Sequence, residues 1–239
     1  MSNGNDRPVR KVFTTRAGGV SLPPYDSFNL GDHVGDKLAD VTSNRNRLAR
    51  VIGLEPHNIV WMEQIHSINV TVITEPQENP VEASDALVST TRGLALAVLA
   101  ADCVPVLLSD TETGVIAAVH AGRMGARNGI VRRTVETMLE LGATPRNIHA
   151  LLGPAASGRH YEVPSAMAAD VERYLPGTRV KTRKGTSGLD LRRGLARQLL
   201  ELGVKAIDID PRCTIEDKQL FSYRREGTTG RHAGLVWLP

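Results

Sequence analysis

A mixed α/β fold, a single domain with buried mixed β-sheets flanked by helices, is what this sequence predicts. Three observations carry that expectation. Four runs, at 86–89, 94–100, 104–109 and 115–120, are nearly continuous in Val, Leu and Ala, the pattern of strands covered on both faces. Segments 40–52, 122–141 and 191–202 instead space their apolar residues at helical period. Strands and helices alternate through 239 residues with no Pro/Gly/Ser-rich linker between them, so residues 9–239 read as one domain.

The elements follow in order. Residues 1–8, MSNGNDRP, are polar and expected to fray. Residues 9–15 form a first strand, which runs into a turn permitted by Gly18 and Gly19. An ordered loop spans 23–31. The helix over 40–52 takes Asp40 as N-cap and turns Val41, Leu48 and Val51 inward. Strands are expected at 59–62 and 70–73, then a Pro-rich loop at 74–80 and the four buried strands. One helix over 122–141 presents Val131, Val135, Met138 and Leu139 to the core and stops at Gly142. A strand at 148–152 leads into a Gly/Pro-rich loop over 153–163 that borders the cleft. Helices follow at 165–175 and 191–202, the second carrying Leu191, Leu195, Leu199 and Leu202 on one side. Late strands lie at 207–209 and 234–238.

Charge and composition exclude several roles. The net charge is only +3, no five like charges run together, and aromatics are 4%. A basic, stacking nucleic-acid face is therefore not expected. Scattered arginines in apolar surroundings suit a small anionic ligand better. No apolar stretch reaches membrane-spanning length, and residues 1–8 carry no apolar signal region, so a soluble, cytoplasmic protein without a membrane partner is expected.

Three residues stand out: His66 in WMEQIHS, Cys103 in AADCVP and His120 in AVHAGR. Each closes or follows an apolar, strand-like run. Two imidazoles and a thiolate are a minimal ligand set for a catalytic zinc, whose fourth position stays free. Singly, each has a plainer reading: a loop histidine, a small buried thiol, a helix-start histidine. Together with Asp102 and Arg123 they place several polar groups beside apolar strands, which is costly unless those groups are paired or ligated. Two other chemistries use the same residues. Cys103 can be a thiolate nucleophile with His120 as its base, or the metal can be copper in an oxidase. The copper reading is the weaker, because the seven histidines include no H-x-H pair. The nucleobase-deaminase pattern H-x-E with P-C-x-x-C is absent. Cys213 is assigned no role.

Other polar residues fall around the trio. In HAGRMG, Arg123 and the N–H groups of a helix start form an anion cradle. Arg16, in TTRAGG, is a second candidate for phosphate. Gln64 is placed to orient a ligand or substrate. Asp102 is expected to carry a proton or to orient a ligand histidine, and Arg224 or Arg225 to reach the cleft.

The motifs TTRAGGVS, FNLGDHVGD, WMEQIHS, the pair Asp85-Ala86, LALAVLAADCVPVLL, AAVHAGRMG, LGPAASGRHYEV and FSYRREGTTGR cover almost the whole chain. On them the sequence resembles the laccase-domain family, also called polyphenol oxidase or peptidoglycan editing factor proteins, and including FAMIN-like purine nucleoside phosphorylases. The resemblance implies zinc held by His66, Cys103 and His120. It implies phosphorolysis of adenosine, inosine, guanosine and methylthioadenosine, with deamination of adenosine, so that purine nucleosides and phosphate are the expected partners. Cell-wall editing, by removing serine from a muramyl precursor, is the alternative hydrolase reading, and copper-dependent phenol oxidation is the older label. A zinc-stabilised nucleoside sensor without turnover is a third class. Many relatives carry cysteines in the loop before TyrGluVal, where this chain has Arg159 and His160.

Overall fold

A computed structural model describes residues 9–239; the fraying expected of residues 1–8 lies outside the described residues. Along the chain run β1 (Arg10–Phe13), α1 (Leu38–Ile52), β2 (Ile59–Val60), β3 (Val70–Ile73), β4 (Ala86–Ser89), β5 (Ala95–Ala100), β6 (Val104–Asp110) and β7 (Val115–Ala121). Then follow α2 (Arg123–Asn128), α3 (Ile130–Glu140), β8 (Ile148–Leu152), α4 (Ser165–Tyr174), β9 (Arg179–Lys181), β10 (Ser187–Leu189), α5 (Leu191–Glu201), β11 (Ala206–Ile209), α6 (Tyr223–Glu226) and β12 (His232–Trp237).

Two mixed sheets stack face to face. One has the order β1-β12-β5-β2, the other β11-β8-β6-β7-β4-β3, and β9 and β10 form a separate hairpin. Side chains alternate across each strand, so one strand feeds two cores. Leu96 and Val98 of β5 meet Leu107 of β6 and Ile116 and Ala118 of β7 between the sheets. The intervening residues Ala95, Ala97 and Leu99 pack outward against Leu48 and Ala49 of α1. Val106, Leu108, Ala117 and Val119 pack on the opposite face against Val131, Val135 and Leu195 of the helical layer. The order is thus helix, sheet, sheet, helices, and it explains why β4 to β7 read as unbroken apolar runs. Every residue in those four strands is buried.

The mixed α/β expectation holds, with local differences. The helix expected over 122–141 is two helices, because Gly129 takes φ 94° and ends α2 before α3 begins. Leu139 and Val51 face solvent at 37% and 76% exposure. Each lies about a quarter-turn off its helix's buried stripe, which runs through Val41, Asn44 and Leu48 in α1 and through Val131, Val135 and Met138 in α3. Helix α1 starts at Leu38 with Lys37 at the N-cap, which puts Asp40 inside the first turn, where its charge faces the helix dipole. The hairpin β9–β10 and the short α6 carry no periodic apolar signal and were not expected. Cys103 and Cys213 are both free thiols. No helix among the described residues is long and apolar enough to cross a membrane.

One buried titratable group sets an acid limit. His232, on β12, is fully buried. Burial, then the nearby guanidinium groups of Arg212 and Arg231, push its ring down to about 3. The folded ring stays neutral where the unfolded one, near 6.5, takes up a proton. Its stabilising contribution is therefore complete above about pH 6.5 and is lost as the pH falls toward 3. By pH 5 the loss is about 2 kcal/mol. Unfolding free energies from urea titrations at pH 7.5 and pH 5 should diverge by that amount more in the parent protein than in His232→Leu; equal divergence would remove the histidine as the cause.

Candidate metal centre

The sheets bring three distant segments to one point. His66 lies in the turn between β2 and β3, Cys103 in the turn just before β6, and His120 near the end of β7. One ligand atom from each lies within 4.8 Å of the others, so the three can hold a metal ion. The Cys103 Sγ to His66 Nε2 distance is 3.7 Å, and the two imidazole rings meet edge-on at 79° with centroids 4.7 Å apart. A tetrahedral zinc with sulfur and nitrogen ligands needs donor–donor spacings of about 3.3–3.6 Å. A small contraction of the trio meets that requirement. Gly122 leaves the room: a Cβ there would fall 2.5 Å from His66 Cδ2 and 3.2 Å from Cys103 Sγ.

Asp85 organises two of the three ligands. It is fully buried at the entrance to β4. His120 Nδ1 donates to its Oδ1 at 2.8 Å. That bond orients the ring so that Nε2 faces the trio, where a metal ion would displace the proton that nitrogen otherwise shares with Cys103. The backbone N–H groups of Ile65, His66 and Ser67 also donate to the Asp85 carboxylate, at 3.2, 3.0 and 2.6 Å, and Ser67 Oγ adds a fourth bond at 2.7 Å. These bonds hold the turn in which His66 adopts φ 61°, a left-handed conformation that a non-glycine residue keeps only when its surroundings enforce it.

The electrostatics suit a metal. Burial raises the Asp85 carboxyl, but the hydrogen bonds from His120 and Ser67 outweigh it and bring the group to about 2. Burial likewise raises the Cys103 thiol, and His120 and His66 reverse the effect, giving about 6. Burial lowers His120, whereas Cys103 and Asp85 raise it to about 9. Sulfur in this setting is the thiolate that ligation requires.

A cavity of ≈ 340 Å³ opens over the trio. Arg123, Arg224 and Arg231 line it, with Tyr161, Tyr223 and His33. Among the described residues none of these three arginines forms an ion pair with a carboxylate. Arg123 Nη1 touches only Met124 Sδ, at 3.2 Å. Arg231 Nη1 donates to the carbonyls of Thr229 and Gly230. Arg224 donates to the Glu162 carbonyl and lies over the Tyr161 ring at 5.0 Å. An anion entering the cavity would meet three guanidinium groups not locked in ion pairs, with the Asp102 carboxylate and the Cys103 sulfur on the same wall.

Three sequence expectations differ from the geometry. Asp102 lines the cavity, but its hydrogen bonds go to the segment around α6 and not to a ligand histidine. It accepts from Thr214 Oγ1 at 2.6 Å, from Ser222 Oγ at 2.7 Å and from Arg224 N at 2.6 Å. It ties the Cys103 turn to the segment around α6, and Asp85 takes the orienting place. Arg16 does not line the cavity. Its guanidinium pairs with Glu226 at 2.7 Å and with Asp26 at 3.4 Å, and covers the Phe221 ring at 4.8 Å. Gln64 does line the cavity, but its amide donates to Leu99 O at 2.8 Å and accepts from Leu99 N at 2.7 Å. Both groups therefore fix the end of β5. Arg225 turns away into the carbonyls of Thr214, Asp217 and Leu220.

Asp85, His33, Arg231, Tyr161 and Tyr223 were not singled out from spacing. Asp85 did carry a signal: an acid set directly against the apolar run 86–88 invites the same burial-cost argument as Asp102. The others come from segments that only the tertiary fold brings together.

The Gly122 gap gives a direct test. Gly122→Ala leaves all three donors in place but drives a methyl into His66 Cδ2. Metal content should fall at least about 10-fold, as when a ligand's orienting shell is disturbed, with the melting temperature nearly unchanged. Full metal occupancy by elemental analysis would show that the gap is incidental.

Residues 10–239 match the family described as "Multi-copper polyphenol oxidoreductase laccase". A Corynebacterium glutamicum protein named purine nucleoside phosphorylase is 72% identical, over 98% of this chain and 96% of that one. A Mycobacterium tuberculosis protein of the same name is 58% identical, over 96% of this chain and 92% of its own. Among solved structures, YlmD from Geobacillus stearothermophilus superposes with a TM-score of 0.91 at 32% identity, covering 96% of this chain and 92% of that one.

Proposed function

This chain belongs to the laccase-like polyphenol oxidoreductase family, and on that footing we propose that it is a zinc-dependent purine nucleoside phosphorylase. Its substrates in this reading are adenosine, inosine, guanosine and methylthioadenosine, and it also deaminates adenosine. The supporting observation is the pairing of a three-donor metal set with arginines free of ion pairs around one cavity. Relatives named purine nucleoside phosphorylase at 72% and 58% identity support the same substrate class.

In phosphorolysis a phosphate oxygen bonds to the anomeric carbon while the glycosidic C–N bond breaks. The purine leaves with that electron pair and takes up a proton. Arg123 stands where it can hold phosphate, because it lines the cavity and its guanidinium, though within the field of Asp170, is tied up in no ion pair. Arg231 extends the positive wall. Tyr161 and Tyr223 add aromatic surface to the cavity wall for a flat base, with Arg224 lying over the Tyr161 ring. His66, Cys103 and His120 would hold zinc, which supplies Lewis acidity and lowers the pKa of a bound water. Asp85 keeps His120 and the His66 turn in register for that ion.

The test pairs elemental analysis of the purified protein with product identification. Each nucleoside, given with phosphate, should yield the free base and a pentose 1-phosphate, and adenosine without phosphate should yield inosine. Zinc should be present at about one per chain. Absence of product from all four nucleosides, or oxygen uptake with a phenol and copper in the protein, would overturn the reading.

A further inference from the structure

A second polar cluster lies far from the metal centre, where the rims of the two sheets meet. Lys11 of β1 reaches across to His149 of β8, and its Nζ donates to His149 Nδ1 at 2.7 Å and to the His149 carbonyl at 2.8 Å. On the other side of the ring, His149 Nε2 donates to Asp208 Oδ2 of β11 at 2.9 Å. A carboxylate only accepts, so the Nε2 position carries the proton and the Nδ1 lone pair points at the lysine nitrogen. The order carboxylate, imidazole, nucleophile is that of an activated-nucleophile array, with an amine in the last place.

We propose that Lys11 is a selective acylation site, with His149 as its base and Asp208 as the group that orients the base. The donor class is an activated acyl compound, an acyl phosphate or an acyl thioester. The lysine lone pair attacks the carbonyl carbon and forms the N–C bond. The carbon–oxygen or carbon–sulfur bond breaks, and phosphate or thiolate departs with the electron pair. The amine proton passes to His149 Nδ1, and the Asp208 carboxylate faces the resulting imidazolium.

The surroundings agree. Lys11 is half-buried, while the His149 and Asp208 side chains are 39% and 74% exposed, so a small donor reaches the cluster from the rim. Burial lowers the Lys11 ammonium to about 7, against a smaller opposing effect of Asp208. Lys37, Lys181, Lys184, Lys205 and Lys218 are all exposed and serve as internal references.

The experiment treats the intact protein at pH 7.4 with acetyl phosphate in one arm and an acetyl thioester in the other. Acetyl stoichiometry at each lysine is followed over time by peptide mass spectrometry. Lys11 should acetylate at least about 10-fold faster than Lys37 and Lys205 with at least one donor, since a larger share of it is the free amine. His149→Gln should lower the Lys11 rate several-fold, leaving only the advantage that burial gives the free amine, and Asp208→Asn should give a rate between that of the parent and that of His149→Gln. A Lys11 rate no greater than that of Lys37 with both donors overturns the proposal. So does a Lys11 rate unchanged in a folded His149→Gln protein. The comparison within the parent protein decides the matter even where a variant fails to fold.

Discussion

Replacing Asp85 with asparagine should cost this protein both the metal affinity of the His66, Cys103 and His120 set and much of its stability. The carboxylate receives bonds from His120 Nδ1, from three successive backbone N–H groups and from Ser67 Oγ. An amide of the same shape turns an NH2 toward some of those donors, leaving buried N–H groups without acceptors. It also removes the buried charge beside His120, a change worth about 3 kcal/mol. Losing an orienting partner of a metal-bound histidine typically costs about 10–100-fold in metal affinity. Here the same change also loosens the turn that carries His66. Chemical denaturation should show the lower midpoint, and a competing chelator should strip the variant's metal at correspondingly lower concentration. Parental metal affinity in the variant would mean that His120 and His66 are positioned by packing alone.

On the proposed zinc mechanism, Cys103→Ala should reduce nucleoside phosphorolysis by about 10³-fold or more, because a two-histidine remnant would hold zinc poorly and that mechanism depends on the ion. The same variant separates the metal mechanism from a thiolate nucleophile. With the metal mechanism, chelation of the parent protein reproduces the variant's defect, and added zinc restores the parent alone. A nucleophilic Cys103 would leave the chelated parent active and the variant dead at full metal content. Neither change should disturb the fold, since Cys103 is only half-buried and lies in a turn ahead of β6.

The sheet strands were legible because β4 to β7 are covered on both faces, so their composition alone marks them. The break at Gly129 was not, because glycine within a helical pattern is often tolerated and only φ 94° separates a kink from a stop. The same contrast runs through the site. His66, Cys103 and His120 were picked out because each residue type is chemically unusual beside apolar strands, and the fold does gather them. Asp102 and Asp85 look alike in sequence, an acid next to an apolar run. Only the tertiary partners separate them: Thr214, Ser222 and Arg224 for Asp102, His120 and residues 65–67 for Asp85. Arg16 and Arg123 pose the same problem. Both lie close to glycines, and what distinguishes them is Glu226, more than two hundred residues beyond Arg16, which pairs with Arg16 and forms no ion pair with Arg123.

The position of β12 bears on how the chain assembles. The last strand in sequence lies between the first, β1, and β5. During vectorial synthesis, β1 and one flank of β5 wait with bare amide and carbonyl groups until residue 237 has cleared the ribosome. Long-range pairing of this kind slows folding and leaves edges open to other chains in the meantime. Nascent chains arrested before β12 should therefore be the form that holdase chaperones capture, and release should coincide with the arrival of that one strand.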